Sequence, residues 1–459
     1  MDFETFWKRF VAVEHRSGAV AARFAGVQLY PLLRTRIFYA VTQELGLFDA
    51  PHPNFAKTEL DESMAPITNI SGLAPAQAVV VPFRRRVAGA EPYSDRIREQ
   101  LAAQGKSVRV LDFIDPDNLA DLDLERLRAF FATQYTDKVN EFLRYASRGP
   151  AEERWNKIID AFKTEFGIEL EKFKKYPKYL VRRTLIDQHG FGQLFKNLGT
   201  KELYLVNAYS EPGLVVAAKR AGVKVYEIQH GFISPYHPAY SYPAASALGG
   251  LLRRRQKVDS AADVLLTWGP YWGKDTTLPA GATTQVSGPT APFNQYRQAV
   301  LAQDRIVPKQ VLFTSQGAVG QELFQAAVAT ARALADHTVI YRLHPNESLE
   351  DYAALSRSQE VIDAAPLPAN FSLSHRDPIF LDLVSRSEYL IGAFSTTLFE
   401  GLALGCKVLV LPLQGYQNVQ AAINSGDLTL ISSLEQLPQT LLAAKKANDP
   451  YRYYAEIRG

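Results

Sequence analysis

The sequence predicts two α/β domains in tandem, each built around a parallel β-sheet. Three observations predict this class: the chain length, the alternation of short apolar runs with helical segments in both halves, and polar side chains that directly follow the predicted strands. The 459 residues suffice for two or three domains of roughly 100–200 residues each. Strands that alternate with helices form βαβ units, and βαβ units build parallel sheets.

The N-terminal domain is predicted to span residues 1–283, with a helical insertion at about 122–198. In the insertion Leu, Phe and Tyr recur at helical spacing, which predicts three helices that are separated near residues 148–150 and 176–177. Strands are predicted at 78–83, 108–113, 203–206, 223–228 and 262–268, with helices at 94–104 and 213–221.

The C-terminal domain is predicted to span residues 284–446, followed by a tail at 447–459. Strands are predicted at 284–287, 310–314, 338–342, 389–392 and 408–411, and helices at 321–335, 397–404 and 434–446. Parallel sheets of this kind bind ligands at the carboxyl ends of their strands. We therefore expect the two domains to face each other across a cleft that contains the functional site.

The composition excludes several functional classes. The net charge of +3 is too small to indicate a nucleic-acid partner. Cys406 is the only cysteine, so the chain cannot form an internal disulfide, and its apolar surroundings in sequence predict a buried, inert thiol. Cys and His do not occur at metal-ligand spacing, so neither a metal nor another cofactor is expected.

The N-terminus lacks a basic segment followed by an apolar one, and no run of about 18 apolar residues occurs. A cytoplasmic protein is therefore expected. Basic clusters at 84–86, 253–255 and 172–183 have two interpretations. They are either solvated surface, or a peripheral contact with anionic lipid at the cytoplasmic face of the inner membrane.

The first motif is the segment 227–231, Glu-Ile-Gln-His-Gly, at the end of a predicted strand. Gly231 lets the chain turn sharply, so His230 is expected at the carboxyl edge of the sheet, with Gln229 beside it. Gln229 and Gly231 are expected among the residues that bind the nucleotide sugar. Because an unperturbed imidazole has a pKa of about 6.5, His230 suits a general base. The alternative is a hydrogen-bonded structural histidine.

The second motif, at 341–347, also ends a predicted strand. Pro345 halts regular structure and places His344 at the sheet edge. Arg342 and His344 can donate hydrogen bonds to a nucleotide phosphate and stabilise the charge that develops as the phosphate leaves.

The third motif, at 392–401, runs from a strand into a helix whose first turn carries hydroxyl groups. Side chains and free backbone N–H groups at such a helix start form an anion site, although capping alone also explains the hydroxyl residues. The residues concerned are Ser395, Thr396 and Thr397, and Glu400 one turn later is placed to accept hydrogen bonds from a ribose.

A fourth motif, at 313–317, and one further segment place small or polar residues after predicted strands. Ser315, Gln316 and Gly317 suit a close backbone approach to a phosphate or base, and an ordinary turn explains them equally well. The segment 207–213 contributes a carboxylate, Glu211, on the N-terminal side of the expected cleft.

The order His-Gly, Arg-x-His-Pro and Ser-Thr resembles the GT-B glycosyltransferases that use cytidine nucleotides in bacterial surface polysaccharide synthesis. The His-Pro and Ser-Thr motifs are similar to those of sialyltransferases and Kdo transferases. Gln-His-Gly is similar to the His-Gly motif of the CDP-glycerol glycerophosphotransferases. This resemblance covers about residues 200–412 and implies a GT-B fold, with two Rossmann-like, doubly wound domains facing across a cleft.

By this resemblance His344, Ser395 and Thr396 bind the donor phosphate, Glu400 binds the ribose, and His230 is the base. The sialyltransferase Asp/Glu-Asp/Glu-Gly motif is reduced here to Ser-Glu-Pro-Gly, so the base stays open between His230 and Glu211.

The resemblance implies metal-independent transfer of a CMP-activated keto-acid sugar, of the Kdo or nonulosonic (sialic) type. The acceptor would be an oligosaccharide or lipid-linked glycan of a capsule or lipopolysaccharide. Three alternatives stay open: a GT-B transferase that uses a UDP-, GDP- or dTDP-sugar, an epimerase of the same architecture, and a non-catalytic glycan-binding partner subunit.

Overall fold

The computed structural model divides the chain into two compact units. The N-terminal unit comprises residues 7–41 and 52–292, and the C-terminal unit comprises residues 1–6, 42–51 and 293–459. The structure describes residues 1–48, 70–84, 91–113, 122–146, 150–170, 173, 177–243, 245–247, 252–303, 305–317, 319–344, 347–350, 366–375 and 379–456.

Helices and strands alternate along the described chain. The helices are α1 (Phe3–Ser17), α2 (Leu29–Glu44), α3 (Asp95–Ala103), α4 (Leu124–Ala146), α5 (Pro150–Phe166), α6 (Pro177–Leu198), α7 (Pro212–Arg220), α8 (Ala291–Leu301), α9 (Gly320–Ala333), α10 (Phe380–Arg386), α11 (Thr396–Ala403), α12 (Gln420–Asn424) and α13 (Leu437–Ala443). The strands are β1 (Arg23–Phe24), β2 (Val27–Gln28), β3 (Ala78–Val81), β4 (Val108–Asp112), β5 (Leu122–Asp123), β6 (Glu202–Val206), β7 (Lys224–Ile228), β8 (Ala245–Ala247), β9 (Leu252–Arg254), β10 (Val264–Thr267), β11 (Thr283–Val286), β12 (Val307–Thr314), β13 (Thr338–Arg342), β14 (Phe371–Ser374), β15 (Ser387–Gly392), β16 (Lys407–Val410) and β17 (Thr429–Leu430).

Among the described residues, seven strands form the parallel sheet of the N-terminal unit, in the order β11-β10-β7-β6-β3-β4-β5. The chain winds outward from β3 to β5 and then returns to the other side of β3 with β6. All residues of β3 and β10 are buried, so these strands appear in the sequence as continuous apolar runs. The winding reverses between β3 and β6, and ligands bind at the carboxyl ends of strands beside such a reversal.

In the described part of the C-terminal unit, six parallel strands follow the order β14-β13-β12-β15-β16-β17. This is the strand order of a Rossmann-type sheet, and its winding reverses between β12 and β15. One face packs against α9 and α13 in a core that includes Val311, Phe313, Leu323, Tyr341 and Ile391. Because this face is buried, the register of β12 in the sheet is fixed, and so is the position of its carboxyl end.

The predicted class, two doubly wound α/β units with a helical segment between strands of the first, is confirmed. The position of one strand is corrected. The sequence placed residues 284–287 at the start of the second domain, whereas β11 pairs in parallel with β10 in the N-terminal sheet. The unit boundary therefore falls at residues 292–293. The segment predicted as a tail packs into the C-terminal unit, where Tyr453 and Tyr454 are buried.

A buried arginine connects α2 to the loop that follows β7. Arg34 is fully buried, and its Nε and Nη2 donate to Glu14 at 2.5 and 2.9 Å. Its Nη1 donates to the carbonyl oxygens of Pro238 and Ser241 at 2.5 and 2.6 Å. The guanidinium also lies 4.2 Å from the centre of the Tyr242 ring.

We expect Arg34→Ala to lower the free energy of unfolding by about 3–5 kcal/mol, because the Glu14 carboxylate would stay buried without its charged partner and would keep the hydrogen bond from the Tyr30 hydroxyl. Urea and thermal unfolding of the variant measure this loss. The double variant Arg34→Met/Glu14→Met removes both charges and should recover most of the stability. A loss below about 1 kcal/mol in the single variant would show that the pair contributes little.

Candidate functional site

The start of α11 lies at the reversal of the C-terminal sheet, directly after β15. Ser395 is the N-cap residue of α11, and its Oγ accepts a hydrogen bond from the Thr397 backbone N–H at 3.3 Å. Thr397 Oγ1 lies 3.5 Å from Thr314 Oγ1, at the end of the neighbouring strand β12. The third and fourth motifs therefore meet across the reversal, where backbone N–H groups and hydroxyls can hold an anion.

Close contacts fix the loops on both sides of this reversal. Gln316 Oε1 accepts a hydrogen bond from the Phe394 backbone N–H at 3.2 Å. A Cβ atom at Gly392 would lie 3.0 Å from Thr314 Oγ1, so a larger residue there would disturb the hydroxyl pair. Gly317 follows as an exposed residue of the same turn.

Glu347 is the last residue of the second motif and is not among the predicted site residues, and it joins that motif to the fourth. Its Oε1 accepts a hydrogen bond from Ser315 Oγ at 2.8 Å, and its Oε2 accepts one from the His344 backbone N–H at 2.7 Å. Arg342 is buried, and its Nη1 donates to Ser374 Oγ at 2.8 Å. The His344 side chain is exposed at the sheet edge, while Pro345 lies outside the described residues.

Glu400 lies one helical turn inside α11 and is partly buried. Burial raises the pKa of its carboxyl group to about 7. The carboxyl group is therefore close to half-ionised at neutral pH, and a ligand group that donates a hydrogen bond to it would favour the ionised form.

In the N-terminal unit, His230 follows β7 and lies among aromatic rings. The Tyr209 hydroxyl is 3.3 Å from His230 Nε2, and the Phe83 ring centre is 5.2 Å from the imidazole centre. The Tyr93 ring approaches edge-on at 6.5 Å. Burial lowers the pKa of His230 to about 4, so the imidazole is neutral at pH 7 and can accept a proton.

Gln229 is fully buried, and both ends of its amide are bonded to the protein. Its Oε1 accepts from the Trp268 backbone N–H at 2.9 Å, and its Nε2 donates to the carbonyl oxygen of Gly231 at 3.0 Å. The sequence grouped Gln229 and Gly231 with the nucleotide-sugar contacts. In the structure the Gln229 amide holds the turn that carries His230, and a contact of Gln229 or Gly231 with a nucleotide sugar stays a prediction.

Glu211 is buried and forms an ion pair with Arg128 Nη2. The same guanidinium lies 3.2 Å from Glu125 Oε1 and 3.6 Å from Asp187 Oδ1. To approach an acceptor hydroxyl, the Glu211 carboxylate would have to give up its buried ion pair with Arg128. This network favours His230 over Glu211 as the base.

In the part of the chain that the structure describes, no group of three or more His, Cys, Asp or Glu side chains is placed to hold a metal ion. Across the same residues, none of the helices combines the length and apolar character needed to cross a membrane.

No protein-family model and no curated protein sequence matches this chain. Among solved structures, it is similar to MurG of Acinetobacter baumannii, with 15% identity, a TM-score of 0.39, and coverage of 80% of this chain and 90% of that one. It is also similar to the UDP-GlcNAc 2-epimerase of Methanocaldococcus jannaschii, with 11% identity, a TM-score of 0.42, and coverage of 82% and 96%. The glycotransferase of kitacinnamycin shows 13% identity, a TM-score of 0.43, and coverage of 83% and 92%.

Proposed function

We propose that the chain is a glycosyltransferase of the GT-B type whose C-terminal unit binds a nucleotide-activated sugar. One observation carries this proposal: the third and fourth motifs meet at the reversal of the C-terminal sheet, and Glu347 links them to the second motif. A helix start, hydroxyl groups and a histidine side chain at that edge together suit a phosphate group.

In this proposal the leaving phosphate of the donor accepts hydrogen bonds from His344, Ser395, Thr396 and the start of α11. The bond between the anomeric carbon and the phosphate oxygen breaks, and the phosphate takes the bonding electrons. Donors placed where this negative charge develops stabilise the transition state, and removal of one such donor costs about 10²–10³-fold in kcat.

The N-terminal unit supplies the base. The acceptor hydroxyl gives its proton to the neutral His230 imidazole while its oxygen forms the new bond to the anomeric carbon. The low pKa of His230 supports the base role by keeping the imidazole unprotonated, although it also makes the imidazole a weaker base than an ordinary histidine.

The resemblance of the His-Pro and Ser-Thr motifs to sialyltransferases and Kdo transferases supports a more specific proposal. The donor is then a CMP-linked keto-acid sugar, and the acceptor is an oligosaccharide or lipid-linked glycan of the bacterial surface. Transfer in this scheme requires no metal ion.

The test is a donor panel. Titration calorimetry with CMP, UDP, GDP and dTDP measures nucleotide affinity, and release of the nucleotide from each sugar donor in the presence of EDTA measures turnover. We expect CMP to bind most tightly and CMP-sugars to turn over without metal. Tighter binding of UDP or GDP than of CMP would overturn the assignment of a cytidine donor and would leave the proposed transferase activity standing. Binding of glycans without turnover of any donor would overturn the transferase and favour a partner subunit.

Glu400 provides a prediction about pH. A ribose hydroxyl that donates to the carboxylate stabilises the ionised form, so nucleotide binding should lower its pKa from about 7 and release up to about half a proton at pH 7. Nucleotide affinity should therefore rise as the pH increases from the pKa of the bound form to about 7, and it should level off above about pH 8. Calorimetry at pH 7 in two buffers of different ionisation enthalpy counts the released proton. The Glu400→Gln variant should release fewer protons than wild type when it binds nucleotide. An unchanged number of released protons would exclude the Glu400 carboxyl group as their source.

A further inference from the structure

Glu227 is a buried carboxyl group on β7 that lies three residues before His230 and has no role in the proposed reaction. Its Oε1 accepts hydrogen bonds from the Ala208 backbone N–H at 3.0 Å and from the Tyr240 hydroxyl at 2.8 Å. Ala208 and Tyr240 belong to two different loops, so one carboxyl oxygen joins them.

The first of these loops carries Tyr209. Asn207 has a φ of 65° and a ψ of 62°, in the left-handed region, and a 3₁₀ turn follows at Ala208–Ser210. A non-glycine residue adopts this conformation at a cost in free energy, so the surrounding contacts must hold it. The hydrogen bond from Ala208 to Glu227 is one such contact, and it sets the position of Tyr209.

The second loop packs Tyr240 against Tyr209 from another side. The two rings meet edge to face, with centres 5.7 Å apart. Burial raises the pKa of Tyr240, so its hydroxyl stays protonated and donates to Glu227. Glu227 therefore fixes both elements that hold the Tyr209 ring, and the Tyr209 hydroxyl lies 3.3 Å from His230 Nε2.

We propose that Glu227 is a positioning residue for His230: it fixes the Ala208–Ser210 turn and Tyr240, which together hold the Tyr209 hydroxyl against the imidazole. This inference rests on the proposed function only where it concerns turnover. The placement of the His230 ring can be measured without any substrate.

Three variants separate positioning from general stability. Glu227→Gln keeps an acceptor oxygen at the same place, Glu227→Met keeps the chain length but removes the acceptor, and Tyr209→Phe removes only the hydroxyl that meets His230. Asp263→Asn is the matched control, because Asp263 Oδ2 accepts the Val225 backbone N–H at 2.9 Å at the amino end of the same strand.

Two readouts apply to each variant. The first is the NMR signal and titration of the His230 ring in protein with labelled histidine, assigned with His230→Ala. The second is kcat and KM for transfer. We expect Glu227→Met and Tyr209→Phe to move the His230 signal, and Glu227→Met to lower kcat by about 10- to 100-fold with little change in donor KM. Glu227→Gln and Asp263→Asn should behave like wild type.

An unchanged His230 signal in Glu227→Met would overturn the proposal, as would an equal effect of Asp263→Asn. If Glu227→Met does not fold, Tyr240→Phe takes its place, because it removes one of the two bonds to Glu227 and should move the same His230 signal. Absence of transfer with every donor would refute the proposed function, and the NMR comparison would still decide the role of Glu227.

Discussion

The His230→Ala variant should transfer sugar about 10²–10⁴-fold more slowly than wild type, with donor affinity unchanged. The loss is expected in kcat, because in the proposed mechanism the imidazole acts on the acceptor proton and belongs to the unit that is not proposed to bind the nucleotide. Single-turnover rates together with calorimetry of the free nucleotide separate the chemical step from donor binding.

The pH profile gives an independent check of this role. Because burial lowers the pKa of His230 to about 4, the free enzyme keeps a neutral imidazole throughout the neutral range. The acid limb of kcat/KM that His230 contributes should therefore lie near pH 4, well below that of an ordinary histidine at about 6.5. A limb near 6.5 that disappears in His230→Asn would show that the imidazole is more solvated in the working enzyme.

Two further variants decide the identity of the base. His189→Ala is the control, because His189 is an exposed histidine on α6 that stacks on Tyr135. Glu211→Gln breaks the ion pair with Arg128, so it should lower thermal stability while the folded fraction still transfers sugar. If folded Glu211→Gln is inactive and His230→Ala is active, Glu211 is the base.

The sequence predicted most of the fold because both sheets are parallel. Strands such as β3 and β10 are buried on both faces, so their apolar runs stand out between amphipathic helices. The sequence did not predict the strand β14, because β14 is an edge strand in which one residue of four, Ser374, is buried. The sequence also did not show which sheet contains β11. The four residues of β11 are all exposed, and its pairing with β10 is a contact between separate segments of the chain.

Each motif of the candidate site could be recognised in the sequence because it is a short contiguous segment after a strand. The contacts that join the motifs could not be recognised. Glu347 connects His344 to Ser315, which lies 32 positions before Glu347, and Glu227 connects Ala208 to Tyr240, which lie 19 and 13 positions from Glu227. The spacing of a sequence does not specify such contacts, since they depend on which strands become neighbours. The partner of the Gln229 amide is likewise distant in sequence, because Trp268 directly follows β10.

His344→Ala should weaken nucleotide binding by about 1.5–3 kcal/mol, which is about 10- to 160-fold, because the proposed hydrogen bond to a charged phosphate would be lost. His344 has an exposed side chain at the carboxyl end of β13, and its backbone is fixed by Glu347. The substitution therefore removes the imidazole without disturbing the core. Calorimetry with CMP measures the loss, and kcat should fall as well, because the phosphate gains charge as it leaves.

Two comparisons test whether the effect of His344→Ala depends on the phosphate: a control variant at the other end of the same strand, and a ligand that lacks the phosphate. His337 precedes β13 at its amino end, where its Nδ1 lies 2.8 Å from Asp336 Oδ1, so His337→Ala changes a histidine far along the strand from the site. This control should bind CMP like wild type. Cytidine, which lacks the phosphate, should bind His344→Ala and wild type equally. A matching loss for cytidine would place His344 against the base or ribose and would remove it from the phosphate site, whereas Ser395→Ala would still test the hydroxyl groups at the start of α11.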